Sequence, residues 1–541
     1  MSNLLSQASL VMIPSGYKED IVYSPVPTNG SGDLSFTRAS NGTRINSAGL
    51  VEVTPWNLVE YSEDFSQAPP IWNKYQATIS SNTTTAPNGT LTADSIIDNS
   101  ANDVHIAYQD KTGIVAGTYT ISIYAKANTL SHINLQWYDG VSIFYTSNVF
   151  NLSNGTTTGA NQSIESVGNG WYRCIFTFTT TVSGLQYPYV MTNNGTSNFY
   201  VGTGQSVFIW GYQLNIGSTA KPYFPTTDRL NVPRLTYQNG GGGCPSLLLE
   251  KQSTNLTLWS EDFTQWTASN ATVTANNTTS PDGTQNADRI QFTGAGYLLG
   301  ASQGSGTVYT ISCYAKRNGS GTQSIGFFKD GSGTVDSAWA LTSDWQRFTY
   351  TYTASNGSYS GIAGVNGGDV FVWGAQLEAS SYPTSYIPTT TASATRVADA
   401  VPSKSTLLAD KNSYSMFLDF YPRPTAIFAY FFIQLNSSDS PEIIWGGTSD
   451  YLGFSIYDYT VSQTVWTGNI NDDNRHKICL SVASGKIDLF VDGVQVVTQK
   501  STSQTGFDFV ALNGNPGIYK INEMVILSKI TSAEAIALTT L

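Results

Sequence analysis

The stretch "YTISIYAK" at residues 119–126 recurs as "YTISCYAK" at residues 309–316. Apolar side chains alternate with Thr, Ser and Lys along both copies, which is the period of two expected of a strand that buries one face. Cys313 in the second copy stands where the first copy has Ile123. A cysteine that replaces isoleucine is expected to be a small buried hydrophobe with a free thiol. The chain therefore contains the same predicted half-buried β-strand twice.

This likeness extends in one order through two long segments. Three further matches are "SEDF" at 62–65 and 260–263, "TTAPNGTLTADSI" at 84–96 with "TTSPDGTQNADRI" at 278–290, and "VFIWGYQL" at 207–214 with "VFVWGAQL" at 370–377. The offset between matched positions falls from 198 to 163 along the chain. Ordered matches with a falling offset indicate a duplicated domain whose second copy has shorter loops.

Turn residues separate the predicted strands. "PNG" (87–89) matches "PDG" (281–283), and "YDG" (138–140) matches "KDG" (329–331). Proline presets φ and glycine accepts positive φ, so these tripeptides are typical of tight turns. Short strands joined by such turns predict an all-β fold of tandem antiparallel β-sandwich (jelly-roll) domains.

Composition and the repeat divide the chain into five segments. We predict a mostly irregular N-terminal segment at 1–55, jelly-roll module 1 at 56–230, a Gly-rich linker at 231–254, jelly-roll module 2 at 255–398 and a different β-sandwich module at 399–541. In the last module, Asp492-Gly493 lies between alternating apolar residues and predicts a hairpin. "TSAEAIAL" near the C-terminus predicts a helix with Thr531 as N-cap and Glu534 completing a capping box.

Charge and hydropathy exclude several partners. The net charge is -12 and the sequence has no basic run, so binding to a nucleic-acid backbone is not expected. No stretch of 18 apolar residues occurs, so membrane insertion is not expected either. The four cysteines have neither metal-ligand spacing nor the density of a disulfide scaffold. We predict no cofactor, although loop carboxylates such as Asp282 or Asp288 are of the type that holds a structural calcium.

The sequence motifs that could be catalytic lack the neighbouring structure that catalysis requires. "GASQG" (300–304) matches a nucleophile motif, but a predicted loop and strand follow it where the motif needs a helix. The "SEDF" motifs offer Glu63 with Asp64 and Glu261 with Asp262, yet adjacent residues on a strand face opposite ways and cannot form a glycosidase pair. We therefore predict that the protein is not an enzyme.

Aromatic residues supply candidate binding contacts, because sugars stack their apolar C–H faces on exposed rings. Tryptophans that occur at matched places in both modules are expected in the cores: Trp72 with Trp266, Trp171 with Trp345, and Trp210 with Trp373. Tyr138 aligns with Lys329 in the second copy, which favours an outward position. The residues proposed as glycan contacts are Tyr138, Trp339, Tyr451 and Trp466.

The segments between the modules resemble a known family. The motifs are "FTRASNGTRINSAGLVEV", "CPSLLLEKQSTNLTLWSEDF" and "QLEASSYPTSYIPTTTASATRVAD". They look like the connecting motifs of tailed-bacteriophage fibre and spike proteins, including those of crAss-like phages. Modules 1 and 2 resemble the carbohydrate-binding-module-like jelly rolls of such proteins. The module at 399–541 resembles a concanavalin A-like lectin or laminin-G sandwich. The resemblance covers 33–541, and 1–32 carry none.

The resemblance implies a virion protein assembled in the host cytoplasm, a fibre or spike of tail or head. By this analogy the N-terminal segment binds other virion proteins, the chain is a homotrimer, and the distal module adheres to host-surface glycans. Two alternatives stay open: a purely structural capsid-decoration or tail-cladding protein without a sugar site, and a polysaccharide depolymerase.

Overall fold

The computed structural model describes residues 4, 7–141, 143–144, 148–238, 241–365, 367–405, 413–422, 431–433, 442–446, 453–458, 461–467, 474–501, 509–513 and 518–541. Antiparallel strands dominate these residues, so the prediction of an all-β protein built from sandwiches is confirmed. The helical elements bounded within them are a 3-10 turn at Phe263–Gln265 and an α-helix at Ser532–Thr539. The helix begins with the predicted capping box of Thr531 and Glu534. Chain contacts divide the protein into one unit at Pro55–Arg229 and another formed by Met1–Thr54 with Leu230–Leu541.

The unit Pro55–Arg229 contains module 1, a sandwich of two main sheets. The first sheet has, in spatial order, Gln162–Gly168, Trp171–Thr180, Gly117–Ala127, Ser206–Ile216, Ala93–Asp98 and Ala77–Thr84. The second sheet has Thr156–Thr157, Val149–Asn151, His132–Tyr138, Gly184–Asn193, Ile106–Tyr108 and Asn73–Tyr75, with Lys111–Ile114 and Ile143–Phe144 added at its sides. A ribbon pairs Asn102–Val104 with Phe199–Val201.

The core of module 1 lies between these two sheets. Ile121 and Ile123 face it from the first sheet, and Leu135 and Trp137 face it from the second. Side chains at the intervening positions of the second sheet face away from the core, because successive residues of a strand point to opposite sides. We call this side of the second sheet the outer face of module 1.

Module 2 is also a sandwich, but its strands are divided between the layers in a different way. Its sheet has, in order, Ser337–Ala340, Ser324–Phe328, Tyr359–Gly364, Ala287–Ser302, Gly368–Glu378, Val308–Arg317 and Gln346–Thr353, with Thr267–Thr278 paired to Ala287–Ser302. The strand Ala287–Ser302 pairs with Gly368–Glu378 through its first half and with Tyr359–Gly364 through its second half. One long strand therefore joins the layers that separate strands build in module 1.

Matched side chains make matched contacts in the two modules. Asn57 donates to two carbonyl groups at 3.0 and 3.1 Å, and Asn255 donates to two at 2.9 and 3.1 Å. Asp94 and Asp288 each accept two backbone N–H groups, at 2.9–3.0 Å and at 2.9 Å. All the matched tryptophans are buried except Trp345, which is half-buried. Agreement in such detail is what a duplicated domain predicts.

The second unit also contains a C-terminal sandwich. Its larger sheet has Leu235–Thr236, Ser246–Leu248, Ile518–Ser528, Ser413–Pro422, His476–Ala483, Lys486–Val491 and Val494–Ser501, with Ala8–Met12 paired to Ile518–Ser528. Its other sheet has Ala400–Ser405, Phe509–Asn513, Phe431–Ile433, Glu442–Gly446, Gly453–Asp458 and Val461–Thr467. Smaller sheets join Tyr17–Lys18, Ile21–Val22 and Leu34–Ser35, Gly42–Ile45 with Val51–Thr54, and Ser253–Asn255 with Ala394–Arg396.

The N-terminal segment and the linker contribute to this C-terminal core. Met12 and Phe36 from the N-terminal segment are fully buried in the same cluster as Leu247 from the linker and Met524 from the C-terminal strand. The sequence predicts a mostly irregular segment at 1–55 and a loose connector at 231–254. In the structure both segments contain strands and buried residues, because their apolar side chains pack against parts of the protein that are distant in sequence.

A buried ion network joins segments that flank the modules in the sequence. Arg38 donates to Asp399 at 2.8 Å, and Arg234 binds both Asp399 and Glu250. Arg396 lies 3.5 Å from each of the two carboxylates. All five residues are buried. If one segment moved away, the charges that it pairs would be left buried without a partner, which is strongly unfavourable. The network therefore fixes these segments to one another.

Candidate functional site

Four tyrosines come together on the outer face of module 1. Sheet register places Tyr138 opposite Tyr187 and Tyr108 opposite Tyr189. Each lies on the side of its strand away from core residues such as Trp137. All four are half-buried. We call these four residues the tyrosine surface.

The rings of the tyrosine surface contact one another in two orientations. Tyr138 lies nearly parallel to Tyr187 and to Tyr189, with centroids 5.5 and 6.5 Å apart and interplanar angles of 20° and 26°. Tyr108 meets Tyr187 and Tyr189 edge-on, with centroids 6.1 and 5.3 Å apart. Such offset and edge-to-face contacts are favourable between aromatic rings. The rings therefore hold each other in place without a ligand.

Burial and neighbouring groups raise the pKa of two of the four hydroxyl groups on this surface, those of Tyr108 and Tyr189. Burial, together with the neighbouring tyrosines and Asp110, raises the pKa of Tyr189 to about 12. Burial, Asp110 and Tyr187 also raise the pKa of Tyr108. The hydroxyl of Tyr138 donates to the carbonyl of Gly140 at 3.0 Å. Tyr108 and Tyr189 therefore offer neutral phenols that can donate or accept hydrogen bonds.

Amide and aliphatic side chains continue the outer face around the rings. Register places Gln136 opposite Tyr189. Asn193 donates to Asn134 at 2.7 Å further along the same strands. At the other end Val141 and Leu185 are 79% and 44% exposed. The three carboxamides are buried, so the accessible groups in this part of the face are the half-buried tyrosine rings and the exposed apolar groups at one end.

The equivalent face of module 2 is covered by its own chain around Phe328, while Tyr359 on the same face is exposed. The backbone bonds from Leu152 to Ser131 and from Leu341 to Gln323, both 2.8 Å, fix the equivalence of the two sheets. Register then places Gly361 where module 1 has Tyr189. A Cβ atom on that glycine would lie 2.7 Å from the ring of Phe328.

Further side chains close the same face of module 2. A Cβ atom on Gly326 would lie 2.6 Å from Val335, and one on Gly333 would lie 2.7 Å from Tyr297. The segment that carries Val335 and Gly333 therefore packs directly onto this sheet. The corresponding positions to Tyr108 and Tyr187 are Leu299 and Tyr359.

The sequence-predicted contacts fall in different places. Tyr138 belongs to the tyrosine surface. Trp339 is half-buried and its ring meets Phe327 and Phe348 at 5.3 and 5.8 Å, at the position that the core residue Phe150 occupies in module 1. Core packing thus accounts for Trp339 without a ligand. Tyr451 lies outside the described residues, and Trp466 lies in the strand Val461–Thr467 with its side chain outside them.

Sequence reasoning missed three of the four tyrosines. Tyr187 and Tyr189 were signalled by "LQYPYV" (185–190), in which aromatic residues alternate with core positions. Tyr108 carries no comparable local signal, since only the sheet register brings it beside them. Register also corrects the alignment of Tyr138 with Lys329, because Asp330 takes that position in module 2.

The structure also places the residues that the sequence offered as metal ligands or as a catalytic serine. Within the described residues no group of three or more His, Cys, Asp and Glu side chains could hold a metal ion. Asp282 accepts hydrogen bonds from Ser280 and Thr284, and Asp288 accepts from the backbone. Ser302 of "GASQG" ends the strand Ala287–Ser302, and the next element is the strand Val308–Arg317. Across the described part of the chain, no helix has the length and apolar character to cross a bilayer.

Known proteins resemble this chain only weakly. No protein-family model matches it, and no curated protein matches its sequence. Similar solved structures include the tandem CBM22 domain of Xyn10C from Paenibacillus barcinonensis, at 10% identity and TM-score 0.21 over 59% of this chain and 96% of that one. Domain 4 of the arabinanase AbnA from Geobacillus stearothermophilus, solved with arabinotriose, has 17% identity and TM-score 0.21 over 30% and 83%. The Trypanosoma rangeli sialidase has 10% identity and TM-score 0.18 over 97% and 95%. The first two are a carbohydrate-binding module pair and a glycan-related domain, but scores this low carry no argument about this chain.

Proposed function

We propose that the chain is a non-enzymatic adhesion protein of a bacteriophage virion, a fibre or spike that holds host-surface glycans on the tyrosine surface of module 1. The observation that carries the glycan part is a difference in composition on this face, where module 1 places four half-buried rings in mutual contact and module 2 has Leu299, Asp330, Tyr359 and Gly361. A duplicated sandwich can close this face with its own side chains, as module 2 does around Phe328. Module 1 instead keeps four rings there.

The chemistry of the surface favours a sugar over an apolar ligand. Pyranose rings present apolar C–H faces to aromatic rings and hydroxyl groups to amides. The tyrosine surface offers half-buried rings with phenol hydroxyl groups, whereas the amides of Gln136, Asn134 and Asn193 on the same face are buried. Single contacts of this kind are weak, and several copies on one particle gain by effective concentration what each contact lacks.

The virion part rests on the connecting motifs. Arg38, Arg234, Glu250, Arg396 and Asp399 all lie in or beside those motifs and form the buried network of the second unit. Their role in this chain is thus to hold segments together, which suits a rigid extracellular fibre. Labelling this chain on purified particles tests its place on tail or head. Chemical cross-linking of the purified chain tests the proposed homotrimer, and cross-linking of intact particles, with the linked peptides mapped, tests whether the N-terminal segment contacts other virion proteins.

Retention of the full chain in native gels that contain polysaccharide tests glycan adhesion. We expect a mobility loss in at least one neutral bacterial polysaccharide. Replacing Tyr187 and Tyr189 by alanine should weaken the apparent affinity by at least about tenfold, because aromatic anchors dominate such contacts. The matched control is Tyr359→Ala, which removes the equivalent tyrosine of module 2, 47% exposed, and should leave retention unchanged. Equal losses in the two variants would contradict the proposed site.

Incubating the chain with host polysaccharide distinguishes the proposed function from the two alternatives. A folded chain that no host polysaccharide retains would favour the structural capsid-decoration or tail-cladding role. New reducing ends after incubation with host polysaccharide would favour a depolymerase. The expectation that the distal module at 399–541 binds the glycan stays a prediction, since its candidate residues Tyr451 and Trp466 lie outside the described side chains. Retention of the chain that survives Tyr187→Ala with Tyr189→Ala would favour that module.

A further inference from the structure

We propose that the tyrosine surface selects uncharged glycans and rejects acidic ones such as uronates, sialylated chains and phosphate-bearing polymers. This inference rests on the proposed function and adds the chemical class of its ligand. Its basis is the distribution of charge over the outer face of module 1.

The outer face carries no cationic side chain among its described residues. Register assigns to this face the side chains of Asn73, Tyr75, Ile106, Tyr108, His132, Asn134, Gln136, Tyr138, Val149, Asn151, Tyr187, Tyr189, Met191 and Asn193. Burial lowers the pKa of His132, so this imidazole is neutral at pH 7. The sequence reinforces this pattern, because Arg173 is the one Lys or Arg between residues 127 and 220.

The cations near module 1 are engaged elsewhere. Arg173 donates to Ser122 and to the carbonyl of Lys221 on the first sheet. Lys74 donates to the carbonyl of Ser66 at 3.2 Å and points to the core side of its strand. Lys111 is buried opposite the core-side residue Gln186. None of these groups can reach a carboxylate or phosphate bound over the tyrosines.

The charge that does lie beside the surface is negative. Asp110 is exposed and accepts a hydrogen bond from Asn73 at 3.0 Å. Its charge also contributes to the raised pKa of Tyr108 and Tyr189. Recognition of an acidic sugar normally uses arginine or lysine to pair with the anion. Here an anionic ligand would lose water, gain no counter-charge and face Asp110.

A pair of polymers that differ only in charge tests the inference. Acidic polysaccharides, polygalacturonate and carboxylated bacterial polymers among them, are compared with their carboxyl-reduced neutral forms in native gels. We expect retention in one or more neutral gels, at least tenfold weaker retention in the acidic partner of each, and little change between low and high salt, because salt screens only charge interactions. Retention in acidic gels that is lost on carboxyl reduction would overturn the charge inference while leaving glycan adhesion in place. Retention in none of the gels would overturn glycan adhesion itself.

A charge variant gives a second, independent readout. Asp110→Lys should gain retention in the acidic gels by at least about threefold and keep its neutral retention within about twofold. Asp344→Lys changes the net charge equally at an exposed position of module 2 and should gain nothing in acidic gels. If both variants gain equally, total charge rather than the tyrosine surface controls binding, and the inference fails.

Discussion

Module 1 and module 2 share their core contacts and differ on one face. Asn57 and Asn255, and likewise Asp94 and Asp288, make the same hydrogen bonds. On the outer face, however, module 1 has Tyr189 where module 2 has a glycine covered by its own chain. The two copies have therefore kept the contacts that hold the sandwich together, and they have diverged on a surface that takes no part in those contacts.

The modules also differ in what surrounds them. Module 1 forms a unit by itself at Pro55–Arg229, whereas module 2 shares a unit with the N-terminal segment, the linker and the C-terminal sandwich. The buried network of Arg38, Arg234, Arg396, Glu250 and Asp399 belongs to that second unit alone. One copy therefore forms a unit of its own, which is where we propose the glycan site, and the other is built into a larger unit that contains the network.

The largest expected effect comes from breaking the scaffold. Burial favours the neutral form of Asp399, but the charges of Arg234, Arg38 and Arg396 outweigh burial and hold its pKa below the usual value. Asp399→Asn should therefore destabilise the second unit by about 3–5 kcal/mol, because it leaves buried arginines short of a counter-charge. Calorimetry should show this unit unfolding at a lower temperature.

The transition of module 1 is the internal control for Asp399→Asn. We expect its unfolding temperature to stay unchanged, since no residue of Pro55–Arg229 belongs to the network. The comparison also has a pH signature. Because the pKa of Asp399 is lower in the folded state than in the unfolded state, its carboxylate stabilises the fold at pH values above the unfolded pKa, and this stabilisation is lost as the pH falls. Acid should therefore lower the unfolding temperature of the second unit more in the wild type than in the variant. A single transition shifted as a whole would contradict two separate units.

A smaller effect is expected from overpacking the covered part of the module 2 face. A Cβ atom on Gly361 would lie 2.1 Å from the carbonyl oxygen of Leu298, so Gly361→Ala must move backbone and should cost about 1–3 kcal/mol. Gly357→Ala is the matched control, because its nearest atom would be 3.7 Å away. Denaturant unfolding measures both variants. Equal stability of Gly361→Ala and Gly357→Ala would mean that this face is not closed as described.

The smallest effect concerns pH and a matched pair of carboxyls. Burial, reinforced by Asp282, raises the pKa of Glu261 to about 8, and it accepts a hydrogen bond from Tyr386 at 2.9 Å. Because the folded pKa lies above the unfolded value, the contribution of this acid is full below about pH 4.5 and is lost as pH rises towards 8. Glu261→Gln should therefore flatten the fall in melting temperature of the second unit between pH 5 and 8.

The same test in module 1 sharpens the comparison. Burial also raises the pKa of Glu63, which accepts from Tyr223 at 3.2 Å. Glu63→Gln should act in the same direction on the transition of module 1, with a smaller change. Opposite pH trends in the two variants would show that the shared "SEDF" motifs do not play equivalent roles.

Local sequence patterns predicted the all-β fold and the duplication, because both depend on period-two alternation and on turns that can be read in place. The strand Ala8–Met12 could not be predicted in the same way, since its partner Ile518–Ser528 lies at the other end of the chain. Tyr138 could be singled out from the sequence because the aligned residue of the second copy differs, and its role in glycan binding stays a prediction. Tyr108, Tyr187 and Tyr189 needed the sheet register, and a shift of one residue reverses the face of every side chain on a strand.

Hydrogen–deuterium exchange of the full chain, with and without a retained neutral polysaccharide, tests the central contrast between the modules most directly. We expect ligand-dependent protection in the strands His132–Tyr138 and Gly184–Asn193. The equivalent strands Ser324–Phe328 and Tyr359–Gly364 should exchange at the same rate in both samples. Protection of the module 2 strands, or protection confined to 399–541, would contradict the account.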